Sequence, residues 1–356
     1  MSEVTIVGAG LSGLVAATNL ARAGHEVRIL ERENRPGGMP EFRPDPAGSP
    51  FDLEAIKRYT GIDISAGVKV IDQSHIWGYG KMFDLPMRGR IPLYMVERGS
   101  RSSSLDTLLT REAEAAGAKI EYGKPVVTQA DYAMLPPETI VATGLQIENY
   151  EALNIPYSPL FGWFAKGTVD HDRTTVGWFM DDYTRDYAFT STINGISFAL
   201  LFQRDVPLSR AGKEKFMQVV AEGEGLEFKQ WNDLVGGACP VGSLHNPRLF
   251  QGNKILTGTL AGVIDPMLFF GMLGALVSGK IAAKAVEDKA EAWEDFRRVT
   301  RLYYPAYILK KIQNMVPDFL KRPVLQAGLR MLPTMEGLVM DRFAPNIPGW
   351  RVAAGG

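Results

Sequence analysis

Cysteine, histidine, net charge and unbroken apolar sequence are all scarce in this chain of 356 residues. Cys239 is the single cysteine, so no intrachain disulfide and no cysteine cluster can form. His25, His75, His171 and His245 are scattered without ligand spacing, and no metal site is expected. Lys and Arg number 39 against 40 Asp and Glu, which leaves no basic field for nucleic acid. The most apolar late stretch, 263–286, is interrupted by Asp265, Pro266, Lys280 and Lys284 and does not read as a membrane span. The first apolar run begins at residue 4, which leaves no room for a signal peptide, so a cytoplasmic protein is expected. Apolar residues make up 46% and charged residues 22%, an ordinary balance for a globular chain long enough for two cores.

The N-terminus is the most specific stretch. Residues 4–7 are apolar and mostly β-branched, as in a buried parallel strand. Gly8, Gly10 and Gly13 follow at G-x-G-x-x-G spacing and open a helix that runs to about residue 23. Gly8 permits the tight turn, Gly10 the approach of a pyrophosphate, and Gly13 close packing of helix on sheet. Ala9, Leu11 and Ser12 complete the turn, whose free N–H groups and helix dipole suit phosphate. A second strand, 26–30, ends at Glu31-Arg32, where an acid meets a ribose diol. A carboxylate there repels a 2′-phosphate and disfavours NADP. Arg35-Pro36-Gly37-Gly38-Met39 then suits backbone running beside a cofactor.

Further along, 40–52 reads as a loop and 53–59 as a short helix. Ser104 caps an expected helix over 105–116, with Arg98 and Arg101 just before it, placed for a pyrophosphate. A strand at 119–122 follows, then one that ends in Ala142-Thr143-Gly144. The segments 157–168, 174–182, 187–192 and 196–204 are β-rich with turns between them, Asn194-Gly195 among these, and predict an antiparallel sheet. A helix over 209–222 and a strand over 226–234 come next. The strand 255–257 feeds Gly258-Thr259, and beyond Asp265-Pro266 a helix opens at Gly271-Met272. This second ligand-facing helix start lies far from the first along the chain. A long dinucleotide such as FAD spans two such starts, whereas NAD needs one and FMN lacks the adenosine that Glu31 is placed to bind. Only one G-x-G-x-x-G run is present, so no separate nicotinamide domain is read.

These motifs together resemble the FAD-dependent oxidoreductases of the p-hydroxybenzoate-hydroxylase-like fold, geranylgeranyl reductase branch. The residues that carry the resemblance are Gly8-x-Gly10-x-x-Gly13 with Glu31-Arg32, Arg98-Gly99 before Ser104-Leu105-Asp106, Ala142-Thr143-Gly144, and Gly258-Thr259 with Asp265-Pro266 and Gly271. Cys239-Pro240-x-Gly242 before the last motif is similar too, and the likeness spans about residues 1–290. It implies an α/β fold: a Rossmann-type FAD-binding domain with an inserted antiparallel β-sheet substrate domain and C-terminal helices. The corresponding pieces are 1–60, 91–150 and 240–290 for FAD, 61–90 and 151–239 for substrate, and 291–356 for the helices. It implies non-covalent FAD, with Glu31 at the ribose, Gly10 and Arg98 at the pyrophosphate, and 258–271 along the ribityl chain and ring. The sheet would roof the substrate, with Trp163, Trp178, Phe189 and Phe202 as the contacts and half of its aromatics pointing away. Two departures stand out. Thr259 occupies a position where the family has Asp, and Tyr187-Ala188-Phe189-Thr190-Ser191-Thr192 replaces a Tyr-x-Trp-x-Phe-Pro run.

Three functions stay open on these residues. The first is reduction of C=C bonds in an isoprenoid or other apolar substrate by hydride from reduced flavin, with Tyr187 as the proton donor. The second is an NAD(P)H-dependent flavin monooxygenase. The third is a flavin-binding protein without catalysis. The electron donor is NAD(P)H or a redox partner protein. The segment 291–340 carries Arg297, Arg298, Arg301, Lys310, Lys311, Lys321, Arg322 and Arg330 among aromatic and aliphatic residues. Such helices either lie on an anionic membrane surface, peripheral to its inner face, or pack with a solvated side.

Overall fold

In the computed structural model, which describes residues 2–85, 93–242 and 246–353, the apolar run after Ser2 forms β1 (Glu3–Val7). The 90/91 domain boundary, His245 and the end of the 291–356 segment lie outside the described residues. From β1 the chain enters α1 (Leu11–Arg22) and returns as β2 (Glu26–Leu30). It continues through β3 (Asp45–Pro50), α2 (Leu53–Thr60), β4 (Val68–Val70) and the hairpin β5 (Gln73–Gly78) and β6 (Lys81–Asp84). Then come β7 (Leu93–Arg98), α3 (Leu105–Ala115), β8 (Lys119–Glu121), α4 (Gln129–Met134), β9 (Ile140–Val141) and α5 (Ile147–Ala152).

β1 lies inside a sheet of order β8-β2-β1-β9 and pairs in parallel with β2 and β9. Helices cover both faces, so its apolar run is continuous rather than alternating. The sheet is extended by β16 (Lys254–Leu256), parallel to β9, and by β15 (Phe250–Gln251), antiparallel to β16. The last parallel strand therefore arrives more than a hundred residues after β9, once the chain has built a second layer.

That layer is a seven-stranded sheet, ordered β14-β10-β13-β12-β11-β5-β6. Its strands are β10 (Tyr157–Thr168), β11 (Thr175–Met180), β12 (Ala188–Ile193), β13 (Ile196–Arg204) and β14 (Trp231–Pro240), with β5 and β6 at one edge. Asn194 and Gly195 both take positive φ, 52° and 74°, and close the β12–β13 hairpin as the sequence predicts. The sheet is not wholly antiparallel, because β5 pairs in parallel with β11. The strand expected over 226–234 forms instead as β14, later and longer. Leu226 and Phe228 are apolar because they pack against the buried cluster around Phe216 on α6 (Arg210–Glu224), not because they pair. The loop expected from residue 40 contains β3, an edge strand against β7, where Pro46 and Pro50 are tolerated.

The chain closes with α7 (Met272–Glu287), α8 (Lys289–Thr300), α9 (Tyr303–Met315), α10 (Asp318–Phe343) and α11 (Trp350–Ala353). α7 packs on α1 where both are lined with small residues. Among the described residues no helix is long and apolar enough to cross a membrane.

Candidate functional site: a cavity between two helix N-termini and an aromatic sheet

One cavity of ≈ 400 Å³ runs from the first β-turn-α unit to the seven-stranded sheet. At one end Gly8, Gly10, Leu11 and Ser12 line it. Gly8 takes φ +97°, and a Cβ on it would lie 2.7 Å from the Ala142 carbonyl oxygen. Gly13 does not reach the cavity. It lies against Gly8, where a Cβ would sit 2.1 Å from the carbonyl oxygen, and so lets α1 rise straight out of the turn. Gly10 caps α1 without any side-chain hydrogen bond, so the first N–H groups of the helix are left to a ligand.

Glu31 and Arg32 line the same end. The Glu31 carboxylate accepts the N–H of Ala9 at 2.7 Å and that of Glu33 at 2.9 Å. Ala9 thus serves the site through its backbone and is itself behind the cavity wall. Burial pushes the Glu31 carboxyl above its ordinary range, and the two N–H bonds oppose that shift. Arg32 pairs with Glu33 at 3.1 Å. Arg98 lines the middle of the cavity and is held by a fork of bonds to buried Asp106, Nε to Oδ2 at 2.8 Å and Nη2 to Oδ1 at 2.9 Å. Asp106 also accepts the Gly99 N–H, and Ser104 caps α3 by accepting the Thr107 N–H. Arg101 stands apart, exposed and paired with Glu97.

Gly37, Gly38 and Met39 line the cavity as well, as do Thr143, which lies beside Gly8, and Gly144. Gly258, Thr259, Gly271 and Met272 also line the cavity, with Gly258 beside Ser12. Gly271 caps α7, again without a side-chain hydrogen bond. By contrast α2, α3, α4, α6 and α8 are each capped by Asp, Ser or Thr. Two longer helices therefore turn uncapped N-termini on one cavity. Asp265 is buried but is not in the cavity wall. Its carboxylate accepts the Leu268 N–H at 2.7 Å and braces the 265–270 turn.

The sheet sorts its aromatics strictly by alternation. Leu160, Trp178, Phe189, Leu200 and Phe202 face the cavity, as does Tyr187 just before β12. Phe164 and Phe198 are on the same face and pack around Phe42, which also lines the cavity. Trp163 is turned the other way. It packs in the cluster beneath α6 with Lys213 4.8 Å from its ring, because its neighbours of opposite parity, Leu160 and Phe164, take the cavity side. Trp163 is thus a half-buried packing residue of the face that α6 covers. Tyr187 is buried, and burial together with the charges of Asp265 and Asp186 pushes its phenol above the ordinary tyrosine range.

Sequence reasoning missed Phe42, Arg43, Asp45 and Phe269. Arg43 and Asp45 pair at the cavity edge, Arg43 also donates to the Gly37 carbonyl at 2.6 Å, and Lys166 donates to the Arg43 carbonyl at 2.8 Å. A basic residue soon after the double glycine was the available signal. Phe269 adopts φ +60°, a strained conformation for a bulky residue, and faces the cavity.

Residues 6–57 match the family model of the NAD(P)-binding Rossmann-like domain. A flavin-containing monooxygenase, FMO GS-OX-like 7 of Arabidopsis thaliana, is 30% identical over 100 residues, 28% of this chain and 20% of that protein. The chain thus matches about a fifth of the length of this curated relative. Among solved structures, a geranylgeranyl bacteriochlorophyll reductase-like protein of Thermoplasma acidophilum superposes with a TM-score of 0.69 at 14% identity, covering 99% of this chain and 95% of that one. The chain shares the fold of that protein. The p-nitrophenol 4-monooxygenase of Pseudomonas putida shares that fold, with a TM-score of 0.62 at 13% identity over 97% of this chain and 99% of that one.

Proposed function

We propose that this protein is an FAD-dependent oxidoreductase that reduces a C=C bond in an isoprenoid or other long apolar substrate. One observation carries the reading. A single cavity joins a dinucleotide cradle, with an acid and two uncapped helix starts, to an apolar aromatic wall. The residues present fit FAD held non-covalently: Glu31 for the ribose, Gly10 to Ser12 and Arg98 for the pyrophosphate, and Gly258, Thr259 and the start of α7 for the flavin end. Thr259 supplies a hydroxyl where a carboxylate would bond more strongly. Bound there, reduced FAD would supply the hydride for one carbon of the double bond, and the other carbon would take a proton from an acid of the protein or from water.

The chain's own residues orient the substrate and exclude water. Trp178, Phe189, Leu200 and Phe202 form the wall against which an apolar chain lies. Tyr187 is the hydroxyl-bearing residue of this wall and our candidate for the proton donor; burial keeps its phenol protonated and also makes it a weak acid. NAD(P)H or a redox partner protein replenishes the two electrons.

The experiment is a flavin spectrum of the purified protein, anaerobic reduction with each donor, and re-oxidation with prenyl lipids. Stoichiometric loss of a lipid double bond is expected. Oxygen-dependent hydroxylation of a phenol with no lipid turnover would transfer the site to the monooxygenase reading, which the shared fold with p-nitrophenol 4-monooxygenase supports. FAD that no donor reduces would leave a binding protein only.

Two predictions belong to this site. Glu31→Ala is expected to weaken FAD by about 1.5–3 kcal/mol, the worth of a charge-assisted hydrogen bond, or roughly 10- to 150-fold in Kd. Fluorescence titration of the apoprotein measures it, and an unchanged Kd removes Glu31 from the ribose. Trp178→Leu is expected to raise KM for the longest apolar substrates about tenfold through lost apolar contact, while FAD stays bound. An equal effect on short and long substrates would place Trp178 outside the substrate wall.

A further inference from the structure

The C-terminal helices carry apolar residues on a face that none of the described residues covers. On α9, Tyr304, Ile308, Ile312 and Met315 recur at helical spacing and are exposed, Met315 at 82%. The opposite face of α9 is the one that packs, through Tyr303, Tyr307 and Lys310. α10 repeats the arrangement. Its inner residues Leu325 and Leu329 pack on the sheet edge beside Ile76 and Trp178, whereas Phe319, Leu320, Val324 and Met331 point outward. Ordinary surface helices place charge on that outer side. Here two successive helices place apolar residues there, with cations among them.

The charges that border these stripes are nearly all of one sign. Between residues 301 and 331, Arg301, Lys311, Lys321, Arg322 and Arg330 are exposed or half-exposed and Asp318 is the one acid of that segment; Lys321 pairs with Asp318 and Arg322 stands near Asp182, which leaves Arg301, Lys311 and Arg330 as the cations nearest to free. The whole chain carries a net charge of −1, so this is a local concentration. Lys310 is not part of it, because it is buried against Asp186.

We infer that the outer face of α9 and α10 docks on an anionic lipid bilayer. The apolar stripes enter the boundary between headgroups and acyl chains, and the flanking cations meet the lipid phosphates. The inner side of α10 packs in the same apolar cluster as Trp178, a residue of the cavity wall, so docking brings that side of the wall near the lipid surface. Delivery of substrate from the bilayer rests on the reduction proposed above, whereas docking itself rests on this surface alone.

Co-sedimentation of the full chain with vesicles tests the inference, using phosphatidylglycerol/phosphatidylcholine mixtures against phosphatidylcholine alone. Binding at low salt to the anionic vesicles is expected, at least tenfold tighter than to the neutral ones. Ile312→Glu with Phe319→Glu should weaken it at least tenfold, as should Lys311→Glu with Arg330→Glu. All four sites are exposed, and an unchanged flavin spectrum shows that the variants remain folded and loaded. Absence of vesicle binding at low salt overturns the inference, as does equal binding by the variants. So does a dimer in sedimentation velocity that the apolar pair of substitutions converts to monomer, which would make the stripe a contact between two copies. Docking without lipid turnover would count against the reductase reading only.

Discussion

Asp186→Ala is expected to destabilise the protein by about 3–5 kcal/mol, because it strands two buried cations. Asp186 takes the Arg204 guanidinium through Nε at 3.1 Å and Nη2 at 2.5 Å, accepts the Arg204 backbone N–H at 2.9 Å, and stands 3.5 Å from Lys310 Nζ. The three side chains are between 3% and 9% exposed, so solvent cannot replace the lost partner. Arg204 also donates to the Pro266 carbonyl at 3.0 Å and lies 4.9 Å from the Phe269 ring. The cluster therefore holds the strained turn at the cavity, and the variant should bind substrate more weakly than its stability loss alone explains. Burial pushes the Asp186 carboxyl up, but Arg204 and Lys310 outweigh it, and the net shift is downward. A carboxylate with a depressed folded pKa stabilises above its unfolded pKa, about 3.9, and loses that contribution as pH falls through the folded value. Urea unfolding should thus show a wide gap between wild type and variant at pH 7, narrowing below about pH 4. A gap under about 1 kcal/mol at pH 7 would mean that the cluster is solvated in solution.

Gly279→Val should cost about 3 kcal/mol and release FAD, because α1 and α7 touch there through backbone. A Cβ at Gly279 would lie 2.4 Å from the Ser12 carbonyl oxygen and 2.9 Å from the Val15 Cβ. Neither neighbour can rotate away, so the helices must separate. Both helices present their uncapped N-termini to the cavity, and separation moves one cofactor contact away from the other. FAD is expected to bind at least tenfold more weakly, with a lower thermal midpoint. Gly328→Ala is the control, since a Cβ there meets no atom within 4 Å. A Gly279→Val protein that melts like the control and keeps its FAD would show that the two helix starts do not act together.

The parts of this protein that can be read from sequence are those governed by neighbours in the chain. Strand, glycine turn, helix and Glu31 lie within a few tens of residues, and the positive φ of Gly8 and the packing of Gly13 on Gly8 shape the turn locally. Asn194-Gly195 closes its hairpin for the same local reason, and Ser104 caps its helix. Alternation in β10 to β13 established that half the aromatics face away. It could not say which half, because the two faces of a sheet buried on both sides carry the same kind of residue. Only α6, packed over the face that holds Trp163, and the parallel-sheet domain, packed toward the face that holds Trp178, decide that. The β5–β6 edge, the entry of Phe42 and Arg43 into the cavity, and the burial of Lys310 beside Asp186 are likewise tertiary outcomes. Lys310 reads in sequence as one more surface cation on a basic helix. It becomes a buried partner because α9 brings its inner face against a carboxylate more than a hundred residues earlier, and burial of an ion is set by what surrounds it in space, which spacing along the chain does not encode.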